Sequence, residues 1–389
     1  MGTRPLISLI YISAMTVCLG LAACAVVNQE RFGKLPTGDR LGRIQQSPHY
    51  RDGKFRNLVP TPKFSTDDGM MSVIWSGIFD RAERLTPDRS VPTVKTDLKA
   101  LSARSPQKDT VVWMGHSSWY IQAAGKQILI DPIFSKSAAP FSFLNKAFDG
   151  TNIYTADDMP RIDCLLISHD HWDHLDYPTI MALRSKVKQV ICPLGIGAYF
   201  QHWGYPKENI REGDWHDKIT LGGDVVVHVL PARHYSGRLF KENKTLWAGF
   251  AVETHEHRIF FSGDSGYGSH FSQIGKAFDG FDLVMLDCGQ YDPRWAYIHM
   301  TPKEAVQAAR DLGAKAFIPA HVGRFTIANH SWDEPFKLLA EDSDDYPFRL
   351  LTPKIGGPVI LDAEPSQQFS CWWEATGKCP EAEQSEGDL

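Results

Sequence analysis

From Val111 onward the chain alternates short apolar runs with segments of helical periodicity. Val111–Met114, Trp119–Ala123 and Gln127–Ile130 predict strands, and Ala124-Gly125 turns the second into the third. The largely apolar run Ile162–Ile167 predicts a buried strand. Val225–Leu230, Trp247–Glu253, Arg258–Ser262, Asp282–Leu286 and Ala316–Pro319 predict more. Between them, Tyr177–Val187 has helix character, with Asp176 placed to cap it. Thr301-Pro302-Lys303-Glu304 is a capping box with proline at the first helical position. It opens a helix to about Leu312, which Gly313 ends. Strands alternating with helices through one region of about 250 residues predict an α/β layered domain.

The pattern differs on either side of this region. Residues 24–105 are rich in Arg, Lys, Pro, Gly and Ser, which predicts a tether and an irregular N-terminal extension. Within it Met71, Ile74, Trp75, Ile78, Phe79 and Ala82 recur at helical spacing. Such a face either packs on the core or forms an apolar lip that touches membrane or an acyl chain. Residues 366–389 form an acidic tail, expected to be mobile. The layered domain is thus expected over 106–365.

The first 23 residues read as an export signal. Arg4 is followed by Leu6–Leu21 without a charge, too short for a comfortable membrane span. The stretch ends in Leu21-Ala22-Ala23-Cys24, which resembles a bacterial lipobox that leaves Cys24 as a lipidated N-terminus. Ala25, in place of Asp, implies sorting to the outer membrane. The expected location is therefore the bacterial cell envelope, anchored on the periplasmic side of that membrane.

Composition narrows the class of protein. The chain has 389 residues, 43% of them hydrophobic, enough for a large core. Its net charge of -5 argues against a nucleic-acid binder, which needs a basic stripe. Cys164, Cys192 and Cys288 stand singly among apolar neighbours and read as buried thiols. No CxxC pair exists, which argues against thiolate zinc or dithiol redox chemistry. Cys371 and Cys379 are near enough in the tail to form a disulfide loop in an oxidising compartment.

The chemistry concentrates in Ser168-His169-Asp170-His171-Trp172-Asp173-His174-Leu175-Asp176. Three imidazoles and a carboxylate follow directly on a predicted buried strand. Neutral imidazoles and carboxylates are the ligands that Zn²⁺ and related divalent ions prefer. Single candidates follow other strands: His234 in Pro231-Ala232-Arg233-His234, Asp264 in Ser262-Gly263-Asp264, and His321 in Pro319-Ala320-His321. All can converge on one rim of a pair of sheets.

This order resembles the metallo-β-lactamase superfamily, from about Val111 to Ile360. The resemblance implies an αββα sandwich with two metal ions, zinc by default, between the sheet edges. It implies one ion on His169, His171 and His234, another on Asp173, His174 and His321, and Asp264 bridging both. It also implies that Asp131, in Ile130-Asp131-Pro132, holds a ligand histidine through its free ring nitrogen.

Further segments resemble the N-acylphosphatidylethanolamine-hydrolysing phospholipase D family. These include Gly115-His116-Ser117-Ser118, Asp131-Pro132-Ile133-Phe134, Tyr291-Asp292-Pro293-Arg294-Trp295 and His299-Met300-Thr301-Pro302. The implied substrate is a membrane phospholipid, cut to phosphatidic acid and N-acylethanolamine. Two divalent ions can lower the pKa of a shared water to about 7, which supplies hydroxide without a side-chain base. Asp173 and Asp264 would serve that chemistry. His299 is a candidate for proton transfer, and His116 and Arg294 for substrate contacts. The same residues also suit a lactonase or a diesterase with a soluble substrate. A third reading is a non-catalytic outer-membrane lipoprotein that affects permeability.

Overall fold

The computed structural model describes residues 29–67, 69–105, 108–238, 241–341, 343–374 and 377. The export signal, Cys24 and Cys379 lie outside the described residues. Two seven-stranded sheets carry the fold. The first runs in the order Pro358–Ile360, Thr110–Trp113, Trp119–Ala123, Lys126–Ile130, Cys164–Leu166, Val190–Pro193, Ile210–Gly213. Its pairings are antiparallel up to Lys126–Ile130 and parallel beyond. The second runs Arg349–Leu350, Ala314–Ala320, Phe281–Asp287, Arg258–Phe261, Gly249–Glu253, Val225–Leu230, Lys218–Gly222. It is parallel at the Arg349 end and antiparallel at the other.

Strand side chains alternate between two faces, and here both faces are buried. In the first sheet Trp113, Ile121, Ile128 and Leu166 point into the space between the sheets. They meet Val227, Phe250, Leu283 and Ile318 of the second. Val112, Tyr120, Leu129 and Leu165 point the other way, against Ile180, Leu183 and Phe200 of the helices Tyr177–Leu183 and Gly197–His202. The outer face of the second sheet, Phe260, Val284 and Phe317, packs on Phe271, Ala305, Ala309 and Leu339. The result is the four-layer αββα sandwich.

Two regions differ from the sequence expectation. The N-terminal extension holds the helices Gly38–Gln46, Gly69–Phe79 and Leu98–Arg104, plus a hairpin of Tyr50–Arg51 with Lys54–Phe55. Ile44 and Phe55 from it are fully buried in the core between the sheets. The helix Gly69–Phe79 turns Met71, Trp75 and Phe79 to solvent, 71%, 65% and 66% exposed, so these residues do not pack on the core. At the other end, Cys371, Trp372 and Trp373 are buried, with Trp372 against Trp113 and Phe336. The boundary expected at Pro365 therefore cuts through packed structure. Acidic composition hid this, because two tryptophans supply enough apolar area to hold a polar segment down. Cys371 is disulfide-bonded, while Cys164, Cys192 and Cys288 are buried free thiols. Among the described residues no helix is long and apolar enough to cross a membrane.

Candidate metal centre

The His-rich loop begins where the strand Cys164–Leu166 ends, and its neighbour Lys126–Ile130 ends at Asp131. Asp131 is fully buried with φ 42°, a left-handed conformation that a non-glycine residue enters at a cost of about 1–3 kcal/mol. Its Oδ1 accepts from Ser168 N at 2.8 Å, and its Oδ2 faces His174 Nδ1 at 2.8 Å. His116 and His321, at φ 56° and 62°, share the left-handed conformation. Backbone strain at three such positions is affordable only inside a rigid sheet pair. Gly263, φ 60°, has no room for a Cβ, which would lie 2.5 Å from Ala248 O. Glycine there lets the Asp264 loop cross the end of its neighbouring strand.

Two groups of ligand-type atoms result, and a third, Asp264, Asp287, His299 and His321, overlaps both through Asp264 and His321. His169, His171, His234 and Asp264 form the first. His169 Nε2 and His234 Nε2 lie 2.8 and 3.2 Å from His171 Nδ1, and each is 3.7 Å from Asp264 Oδ2. His116, Asp173, His174 and His321 form the second. Asp173 Oδ2 lies 2.9 Å from His116 Nε2, 3.1 Å from His321 Nε2 and 3.6 Å from His174 Nε2. Asp264 reaches this group as well, at 3.2 Å from His174 Nε2 and 3.4 Å from His321 Nε2.

The charge states of the two groups separate. Burial drives His169 and His234 well below the usual histidine range, and His171 down to about 4. In the second group burial also opposes charge, but Asp264 and Asp287 outweigh it and push His321 up to about 10. Burial likewise opposes charge on His174, yet Asp264 and Asp173 raise it well above the usual range. His116, shut in beside His321, falls to about 3 through burial.

The residues fit divalent ions. In the first group three neutral imidazoles aim nitrogens at one another with no acidic proton donor between them. His174 Nε2 and Asp264 Oδ1 are buried yet make no hydrogen bond. Left so, each buried polar atom costs about 1–3 kcal/mol; a cation among them would satisfy both. The donor set of imidazole and carboxylate suits zinc first, with iron or manganese also compatible.

The other expected residues fall in different places. His299 Nδ1 donates to Asp287 Oδ2 at 2.7 Å, and its ring lies 5.0 Å from those of both His234 and His321. His116 stands inside the second group, fully buried under the Phe325 ring. Arg294 is not brought to either group. Its guanidinium is paired with Asp292 and reaches Ser72 O, beside the helix Gly69–Phe79.

Sequence reading missed Asp287, which ends the strand Phe281–Asp287 and holds both His299 and His321, the latter at 3.2 Å. The signal was present, since Asp287 follows an apolar run as Asp264 does. It also missed Asp170, the spacer between two ligand-type histidines. Asp170 is buried and accepts from Gly237 N, Tyr199 Oη and Thr245 Oγ1 at 2.6, 2.9 and 2.9 Å, which fastens the loop from behind.

Residues 126–322 match the family described as "Beta-lactamase superfamily domain", and the chain belongs to it. With these ligand groups on that fold, the protein is a metal-dependent hydrolase. An uncharacterized protein of Mycobacterium bovis is 34% identical over 334 residues, 85% of this chain and 88% of its own. "Outer membrane protein RomA" of Klebsiella pneumoniae is 56% identical over 106 residues, 27% of this chain and 80% of its own. "N-acyl-phosphatidylethanolamine-hydrolyzing phospholipase D 1" of Caenorhabditis elegans is 29% identical over 319 residues, 76% of this chain and 88% of its own. Among solved structures, an isothiocyanate hydrolase from Delia radicum gut bacteria superposes with a TM-score of 0.52. At 17% identity, over 68% of this chain and all of that one, it shows the fold alone.

Proposed function

We propose that this hydrolase is a binuclear zinc phosphodiesterase of phospholipase D type. Its substrate would be an N-acylphosphatidylethanolamine-like phospholipid, released as phosphatidic acid and N-acylethanolamine. The observation that carries the lipid reading is the helix Gly69–Phe79. One side of it faces the cluster Trp295, Ile298 and Ala328, against which Val73 packs; Tyr235 packs against the same cluster, and its ring lies 4.4 Å from that of His171. The other side leaves Met71, Trp75 and Phe79 in solvent, a row that an acyl chain or bilayer would cover. The likeness to the nematode enzyme supports the same substrate class.

His169, His171 and His234 would hold one ion, Asp173, His174 and His321 the other, and Asp264 both. When bound, two such ions lower the pKa of a shared water to about 7 and offset charge on a phosphoryl oxygen. Asp131, through His174, and Asp287, through His321, fix the ring orientations from behind. Water adds to phosphorus and the bond to the ethanolamide oxygen breaks. His299, oriented by Asp287, supplies the proton that the leaving alkoxide needs. His116 holds Asp173 in place, and Arg294 shapes the groove under the apolar helix.

The chain would work at the periplasmic side of the outer membrane, tethered by a lipidated Cys24; the name of the Klebsiella relative agrees with that address. The test is the zinc-loaded mature chain on N-acylphosphatidylethanolamine. Release of phosphatidic acid with N-acylethanolamine is expected. Turnover of only a soluble diester or a lactone would replace the lipid reading by one of those activities.

A further inference from the structure

Residues 30–46 form a strap on the outside of the His-rich loop. Phe32 meets Trp172, the second spacer of that loop, edge-on at 5.2 Å. Gly33, φ 67°, lies so close to the Tyr199 ring that a Cβ would be 1.9 Å from it, so only glycine passes. Trp203 Nε1 donates to Glu30 O at 2.8 Å, and His202 Nε2 lies 3.0 Å from the Glu30 carboxylate. Beyond Gly33 the strap and the helix Gly197–His202 enclose an open cleft of about 580 Å³. Lys34, Arg40, Arg43 and Lys207 line it against one acid, Asp39. Arg40 is tied to Glu212 and Gln201, and Arg43 reaches Glu212 O. The ammonium groups of Lys34 and Lys207 make no ion pair or hydrogen bond among the described residues. Thr37, the N-cap of the helix Gly38–Gln46, makes no side-chain cap bond and also faces the cleft, so that helix's first N–H groups add positive potential.

We infer that this cleft docks the phosphate of an anionic phospholipid headgroup and so seats the strap side of the molecule on the bilayer. The inference rests on the reading of Cys24 as a membrane anchor. Lys34 is ten residues from Cys24, and a chain of that length spans at most about 36 Å. The tether therefore keeps the cleft within reach of the membrane surface. Basic groups gain from a negative leaflet only within about a Debye length, so a short tether is what makes them effective. A chain with net charge -5 would otherwise be repelled by such a surface.

The test uses the mature chain with Cys24→Ser, so that no acyl chain masks the readout. Its co-sedimentation is measured with phosphatidylcholine vesicles, with and without phosphatidylglycerol, at low and physiological salt. Binding should require phosphatidylglycerol and weaken with salt. Lys34→Gln/Lys207→Gln should lower the partition constant about 30-fold, at about fivefold per charge. The arginine pair at the same positions should restore it, and Lys276→Gln/Lys315→Gln, away from the cleft, should leave it unchanged. Equal loss in both glutamine pairs, equal binding to neutral vesicles, or displacement by inorganic phosphate in place of lipid would each overturn the proposal. Hydrolysis of a soluble diester by the cleft variant should stay at the parent rate. An inactive parent that still binds would refute the proposed function and leave the docking site standing.

Discussion

The two ligand groups lie side by side and share Asp264, yet they are built on opposite electrostatics. In the first, three histidines face one carboxylate, and burial holds all three neutral. In the second, His174 and His321 are enclosed by Asp131, Asp173, Asp264 and Asp287, and hold their protons. A cation entering the first group meets lone pairs that are ready. One entering the second must displace protons, and gains more negative charge in return. The pair thus combines a preformed imidazole site with a carboxylate-rich one. Were two ions bound as proposed, the residues of the two groups would give them unequal charge, which would suit water activation at one and charge stabilisation at the other.

Removing the shared residue should break the comparison outright. Asp264→Asn should lower metal content below that of any single-histidine variant and cut turnover by at least about a thousandfold, or about 4 kcal/mol of barrier. Full metal content in that variant, measured by atomic emission, would remove the shared role. Next come variants that separate the groups. His234→Ala and His321→Ala should each lose about one ion per chain, and the double variant should lose both. Loss of both ions from either single variant would show that the groups fill as one unit.

Smaller effects sharpen the distinction. Asp287→Asn should weaken metal affinity about 10–100-fold, chiefly in the second group, because Asp287 orients His321 and makes no hydrogen bond to His169, His171 or His234. Equal weakening of both groups, seen by competition with a chelator, would deny the separation. The smallest effect belongs to a control outside both. Asp109, Glu256 and His257 bring three ligand-type atoms together outside these groups, where His257 Nδ1 pairs with buried Asp109 at 2.9 Å. Asp109 raises the His257 pKa, chiefly through that hydrogen bond. Its stabilisation is complete below the unfolded value of 6.5 and is lost as pH rises through the folded pKa. Thermal melts from pH ~6 to ~8 should show a fall of about 1 °C that His257→Gln abolishes.

The chain's own pattern carried much of this. The strands Trp119–Ala123 and Val225–Leu230 and the helix opening at Thr301 were legible because period, turn residues and caps are local. The strands Val190–Pro193 and Ile210–Gly213 were not, since they are short and their burial depends on neighbours in the sheet. His169, His171, Asp173 and His174 stood out by density. His234, Asp264 and His321 could be placed only as residues that follow apolar runs.

What sequence determined by itself is therefore the layered fold, the chemistry of the donor atoms and the strand ends that carry them. What only the tertiary structure decided is which atoms share a site and in what charge state. Neutral His169 beside charged His174 cannot be read from a spacing, because the difference comes from carboxylates contributed by remote strand ends. The same holds for exposure. Met71, Trp75 and Phe79 have the periodicity of a core face, and their place in solvent is set by what packs on the other side of their helix.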